Sequence, residues 1–242
     1  MSKNVLVLAT RDGPYSYLAV RALIENNIPL FGVALDQKGV GARSVEIWKE
    51  RTAEKIKTGN IYDYESKDYP FYTFSSHADK EFEEFIRKNK IDLLVNAGTP
   101  NILKDNILQA PSMGVLNVHP SILPEYRGCT TMEWSVYNDD PVGNTAHFMS
   151  VGIDEGPIIE QESYVFKKSD TYADIRSKLC LANIEFMTKI VRKIIEQDIT
   201  EKSLPKQGKG KYWNVMDEKT IEEVKKKLEN GLYKYQIHKE DV

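Results

Sequence analysis

Five short apolar runs, four of them leading into segments of helical or mixed spacing, constrain this chain more than any other feature. They are NVLVLA (4–9), LFGVAL (30–35), FYTFS (71–75), IDLLVNAG (91–98) and GVLNVH (114–119). Each has the length of a strand, and most lack the polar–apolar alternation of a half-exposed one. They therefore predict strands buried on both faces. Between them, YSYLAVRALIEN (15–26) sets Leu18, Ala19, Ala22 and Leu23 on one helical face. HADKEFEEFIRKNK (77–90) does the same with Phe82, Phe85 and Ile86. Asp12-Gly13-Pro14 is a helix-entry signal, and a mixed segment near 43–57 is a further helix. Strand–helix alternation of this kind predicts an α/β fold: an open, mostly parallel Rossmann-like sheet with helices on both faces.

The pattern changes after Gly128. TMEWSVYND (131–139) reads as a helix, and NTAHFMSV (144–151) and PIIEQESYVF (157–166) read as strands around the loop GIDEG. Ser169 or Thr171 then caps a long helix over roughly 170–197, with Ile175, Leu179, Ala182, Phe186, Ile190 and Ile194 as its core stripe. Residues 1–200 form the main body. Residues 201–242 form a short C-terminal α/β extension: a basic loop (205–212), a helix (218–231) ending at Gly231, and a terminal strand (233–238). The extension has too little core to fold alone. It is expected to pack on the body or on a second subunit, making a homodimer.

Composition excludes several classes. The chain has 33 basic and 36 acidic residues among 242, a formal charge of -3, which is not the balance of a nucleic-acid binder. An apolar share of 41% is enough for a sizeable core. Two cysteines, Cys129 and Cys180, lack metal-ligand spacing and suggest a reducing compartment. Cys129 reads as a packing residue. No metal is expected. The N-terminus enters a strand without a signal-peptide pattern, and no apolar run approaches the roughly 20 residues of a membrane span. The expectation is a cytoplasmic protein with no membrane partner.

The chemistry concentrates in GVLNVHPSILPEYRG (114–128). Asn117 and His119 stand two apart on a strand and so share a face. They lie at the carboxyl end of that strand, where open α/β sheets bind ligands. An amide can donate to a developing oxyanion, and an imidazole can take a proton near neutral pH. Asp154, between Gly152 and Gly156, can support that imidazole. Taken singly, the same residues also describe a strand-end histidine satisfied by a carbonyl and an aspartate holding its own turn.

Together, NVHPSILPEYRG and the following DEGPI resemble the folate-dependent formyltransferases over roughly residues 1–200, most densely at 91–160. The resemblance implies a triad of Asn117, His119 and Asp154. It implies a 10-formyltetrahydrofolate co-substrate held by NAGTPNIL (96–103), through Gly98, Thr99, Pro100 and Ile102, and by the Asp154 loop. Thr145 and His147 match polar positions near the family's active site. His147 is read equally well as a core residue. An amine would attack the formyl carbon, with Asn117 donating to the oxyanion and His119, supported by Asp154, moving the proton.

The family divides by acceptor. Methionyl-tRNA formyltransferases add a C-terminal domain that this chain is expected to lack. Glycinamide ribonucleotide enzymes carry a Gly-Ser-Asn-type phosphate loop where this chain has ATRDGPYSYL, with one glycine. The nucleotide-sugar branch fits best. A dTDP-4-amino-4,6-dideoxyglucose-like acceptor, and a place in surface-polysaccharide (O-antigen, lipopolysaccharide) synthesis, is the expectation. Tyr126, Arg127 and Gly128 of PEYRG, Tyr212 and Trp213 beside Lys209 and Lys211, and Arg11 after the first strand are the expected acceptor contacts. The alternatives are phosphoribosylglycinamide formylation and a non-catalytic nucleotide- or folate-binding module.

Overall fold

The computed structural model describes residues 3–237. Strands β1 (Val5–Thr10), β2 (Gly32–Asp36), β3 (Phe71–Phe74), β4 (Leu93–Asn96) and β5 (Gly114–His119) are all parallel. Helices α1 (Pro14–Glu25), α2 (Ala42–Thr52), α3 (Lys80–Lys88) and α4 (Asp105–Leu108) connect them. After a two-residue strand β6 (Arg127–Gly128) and helix α5 (Thr131–Tyr137), β7 (Val142–Phe148) returns antiparallel to β5, and β8 (Ile158–Tyr164) pairs with β7. The sheet order is β3-β2-β1-β4-β5-β7-β8. This is the α/β sheet that the apolar runs predict.

Alternation along β1 divides the core. Val5, Val7 and Ala9 face α1 and the long helix α6 (Tyr172–Gln197), where Leu18, Leu23, Phe186 and Ile190 meet them. Leu6 and Leu8 face the other way, onto Phe82 and Ile86 of α3 and Ile107 of α4. Buried apolar layers on both faces explain why β1 tolerates no polar residue before Thr10. Of the stripe assigned to α6, Ile175, Leu179, Phe186, Ile190 and Ile194 are buried, and Ala182 is partly covered. Thr171 caps this helix in a reciprocal capping box with Asp174.

Two boundaries depart from the sequence reading. Helix α2 stops at Thr52 because Ala53 and Glu54 both turn left-handed, at φ 45° and 54°. No glycine or proline marks that stop before Gly59. The terminal strand is reduced to β11 (Gln236–Ile237), beside β9 (Phe166–Lys167); position 238 lies outside the described residues. The extension also contains β10 (Tyr212–Trp213) and α7 (Glu218–Glu229). It packs on the body: Met216, Val224, Leu228 and Tyr233 share a core cluster with Met132, Val136, Phe166, Ile175 and Leu179. Cys129 is exposed, not packed: it directly follows β6, and its N–H donates to the Trp213 carbonyl at 2.9 Å.

Candidate active site

The site lies at the carboxyl ends of β4 and β5, where the sheet reverses direction into β7. Antiparallel register sets Asn117 opposite His147 and His119 opposite Thr145. All four are polar, and three are almost fully buried, so each needs a partner. The hydrogen bonds run in one determined direction. Asn96 Oδ1 accepts the backbone N–H groups of Gly98 (3.1 Å) and Thr99 (2.9 Å), so its Nδ2 faces outward and donates to Asn117 Oδ1 at 3.0 Å. Asn117 Nδ2 then donates to His147 Nε2 at 3.1 Å. His147 donates from Nδ1 to the Phe148 carbonyl at 2.9 Å, which leaves Nε2 as the acceptor in its neutral form. Backbone groups anchor both ends of the chain. The Asn117 amide therefore cannot flip, and it retains one uncommitted N–H.

His119 is held by a different atom from the one its pairing with Asp154 suggests. Its Nε2–H donates to the Tyr126 carbonyl at 2.7 Å. Nδ1 therefore carries the lone pair and lies 3.5 Å from Asp154 Oδ2. The Tyr126 carbonyl sets the tautomer, and the carboxylate supports the proton-loaded form. Burial pushes the His119 pKa below the ordinary 6.5 against the pull of Asp154 and the Tyr126 carbonyl, so the ring is neutral at pH 7. His147 is lowered too, mainly by burial, with Asp154 3.7 Å from Nε2 opposing it. Asp154 has a φ of 55°, and its Oδ2 accepts the Gly128 N–H at 2.9 Å.

Two cavities meet at this wall. One, of about 340 Å³, lies between residues 99–103 and the loop 149–154, with Asn117, His147 and Asp154 on its floor. Ile102, Val151 and Ile153 stand exposed along this cavity. The other, of about 420 Å³, lies between α2 and α6 and reaches Asn96, Gly98 and Asn117 from the opposite side. Trp48, Arg51, Arg176 and Tyr15 line it. Arg176 leans on the buried Glu133 at 3.5 Å. Burial would raise the Glu133 carboxyl, but Arg176, the Tyr172 hydroxyl and Arg51 outweigh it and hold the group below its usual range. Among the described residues the Arg51 side chain makes no hydrogen bond or ion pair, and with Arg176 it sets two positive charges against the one Glu133 carboxylate, so the cavity keeps a net positive charge. His119 lines neither cavity; it stands behind Asp154.

A family model, "Formyl transferase", matches residues 3–191. The chain belongs to the formyl transferase family. A methionyl-tRNA formyltransferase of Clostridium tetani is 30% identical over 142 residues, which are 58% of this chain and 46% of that enzyme. The chain thus spans about half the length of the relative it matches. Among solved structures, a glycinamide ribonucleotide transformylase from Symbiobacterium toebii shares the fold at a TM-score of 0.60 and 20% identity, over 81% of this chain and 89% of that one. An N-formyltransferase from Helicobacter canadensis, in complex with folinic acid and dTDP-3-aminofucose, matches at 0.59 and 17%, over 88% and 71%.

The structure brings some of the expected site residues together and not others. Asn117, His119 and Asp154 form one cluster. Thr99, Pro100 and Ile102 line the smaller cavity, whereas Gly98 lines the larger one. The expected acceptor contacts lie elsewhere. Arg11 is exposed and lines neither cavity. Tyr126 is buried, stacked on Trp213 at 5.4 Å with its hydroxyl on Asp140. The Arg127 guanidinium is spent on Glu155, Gln207 and the Gly208 carbonyl. Gly128 pairs with Trp213 in the β6–β10 ladder, and Tyr212 faces outward, half exposed. Aromatic and basic residues near a motif suggested ligand contacts; here they staple the extension to the body. No local pattern in the sequence marks Tyr15, Trp48, Arg51 and Arg176 as a group, because they come together only through α1, α2 and α6. Among the described residues no cluster of three His, Cys, Asp or Glu side chains could hold a metal.

Proposed function

We propose that the protein transfers a formyl group from 10-formyltetrahydrofolate to the primary amine of a nucleotide-linked amino sugar. The observation that carries this reading is the position of Asn117. Its uncommitted N–H lies at the wall shared by two cavities, one suited to each reactant. The smaller cavity suits the folate. Its apolar flanks, Ile102, Val151 and Ile153, can enclose a flat heteroaromatic ring, and Asp154 reaches its floor. The folate supplies a formyl carbon bound to nitrogen. The larger cavity suits the acceptor. Trp48 offers a stacking face, and Arg51 offers a guanidinium for phosphate.

The residues then divide the work. The amine lone pair forms a C–N bond at the formyl carbon, and Asn117 donates to the oxygen on which negative charge develops. The Asp154 carboxylate, facing the reaction, receives the ammonium proton. His119 Nδ1 behind it can take or return that proton, steadied by the Tyr126 carbonyl. As the old C–N bond breaks, the proton passes to the departing nitrogen, so charge and protons balance.

Similarity to an enzyme holding folinic acid and dTDP-3-aminofucose supports a dTDP-linked acceptor, and dTDP-4-amino-4,6-dideoxyglucose is the leading choice. The test is mass spectrometry of 10-formyltetrahydrofolate incubations with dTDP-linked 3-amino and 4-amino sugars, glycinamide ribonucleotide and methionyl-tRNA. Gain of one formyl group by an amino-sugar nucleotide is expected. Arg51→Ala should then raise the acceptor KM about tenfold, the scale of a charge-assisted hydrogen bond, and leave the folate KM unchanged. Formylation of glycinamide ribonucleotide or methionyl-tRNA alone would replace the sugar assignment, and no formylation at all would overturn the activity.

A further inference from the structure

The Asp154 turn is held from outside by one side chain of the C-terminal extension. Gln207 Nε2 donates to the Asp154 carbonyl at 3.1 Å and to the Gly156 carbonyl. Its Oε1 accepts from Arg127 Nη2 at 3.1 Å. A guanidinium is donor-only and a carbonyl is acceptor-only, so these partners permit one amide orientation. Arg127 is 8% exposed and also donates to the Gly208 carbonyl at 3.0 Å. The fork therefore ties together the two carbonyls that follow the Cα of the left-handed Asp154. Such a conformation is uncommon for a non-glycine residue and needs support from its surroundings.

The rest of the strap is laid down closely. Lys211 accepts from the Arg127 N–H at 3.0 Å, and Trp213 accepts from the Cys129 N–H at 2.9 Å. Between them, the Gly128 N–H points the other way, to Asp154 Oδ2 at 2.9 Å. Two glycines allow the contact: any side chain at Gly210 would strike the Pro124 carbonyl, and one at Gly128 the Trp213 carbonyl. The extension thus reaches the carboxylate twice, through the fork on its backbone and through the ladder that aims the Gly128 N–H.

We propose that Gln207 is a positioning residue for formyl transfer: its amide, oriented by Arg127, locks the Asp154 turn so that the carboxylate sits between Gly128 and His119. This rests on the transfer reading for its kinetic consequence only. Gln207→Glu is the informative variant. It keeps shape and can still pair with Arg127, but it turns the second oxygen onto two carbonyls and so replaces two attractions by two repulsions.

The experiment is amide hydrogen exchange by NMR on the full chain, with steady-state kinetics beside it. In Gln207→Glu the Gly128 amide should exchange at least about tenfold faster, while the Cys129 amide, which reports docking of the strap, keeps its protection. The kcat for formylation should fall about tenfold or more, with the acceptor KM within about twofold. Arg127→Lys, which keeps the charge but loses the fork, should show the same selective loss at Gly128. Glu155→Gln, which removes only the charge of a half-exposed partner of Arg127, should change neither reading. Unchanged Gly128 exchange, or loss at Gly128 and Cys129 together, would overturn the proposal. The exchange reading needs no substrate. A wild-type protein that formylates nothing would therefore remove the transfer reading and leave the lock testable. If Gln207→Glu does not fold, the Arg127→Lys measurement decides alone.

Discussion

Asn117 shows what a side chain gains from being fixed. An asparagine at a strand end has two amide orientations, and only one presents a donor to a developing oxyanion. Here Asn96 and His147 select it, each anchored in turn by backbone groups. Asn117→Asp tests the point with almost no change in shape. It loses the uncommitted N–H and sets a second carboxylate near Asp154. A fall in kcat of about 100-fold or more is expected, the scale for one oxyanion donor. Steady-state kinetics at saturating folate check it, and turnover near wild type would remove Asn117 from the chemistry. The pair Asn117 and His119 was legible because period-two spacing on a short strand fixes a shared face. Asn96 opens the segment 96–103 expected to hold the folate, but its bond to Asn117 was not legible, since an asparagine ending a strand reads equally well as a turn residue. That a carbonyl would hold His119 was one of the readings open to the sequence, but which carbonyl was not legible, because a backbone atom leaves no mark in composition.

Elements carry the next level of design. Strands β5 and β7 bury polar side chains where they pair, which costs stability unless those groups stay neutral and bonded. Burial lowers the pKa of His119 and of His147, and it lowers that of His77, which follows β3. In the unfolded chain each takes a proton near 6.5, whereas the folded protein resists doing so. Below that pH the unfolded state therefore binds more protons, and stability falls as pH falls. Urea unfolding is expected to give a free energy that climbs from pH 5 to about 6.5 and levels above it. His147→Gln should flatten that slope by removing one of the three sites. A pH-independent midpoint across this range would show that the three rings are not held neutral. The strands themselves were readable from five apolar runs. The antiparallel return of β7, which makes the Asn117–His147 contact, was not, because direction is set by the connection through α5 and not by the strand's own residues.

For the whole molecule, the extension beyond residue 200 decides how the parts depend on one another. It looked too small to fold alone, and it does not form a core of its own. Met216, Val224, Leu228 and Tyr233 complete a cluster whose other half is Met132, Val136, Val142, Phe166, Tyr172, Ile175 and Leu179. Ile175 and Leu179 belong to α6, the helix that also carries Arg176. Removing everything after residue 203 would expose that half-core. Four buried side chains at roughly 1.5–3 kcal/mol each sum to about the full stability of an ordinary domain, roughly 5–15 kcal/mol. The truncated chain is therefore expected to be unfolded or molten at 25 °C, with near-UV circular dichroism lost and dye-binding surface exposed. A truncated chain that melts cooperatively within a few degrees of the full protein would show the cluster to be dispensable. Sedimentation of the intact chain then asks the separate question of whether a homodimer forms. The exposed Tyr212, Val215 and Leu232 lie on this same extension, so substituting them with polar residues should dissociate a dimer built there and leave the melting of the monomer unchanged. A dimer that survives all three substitutions would place its interface on the body.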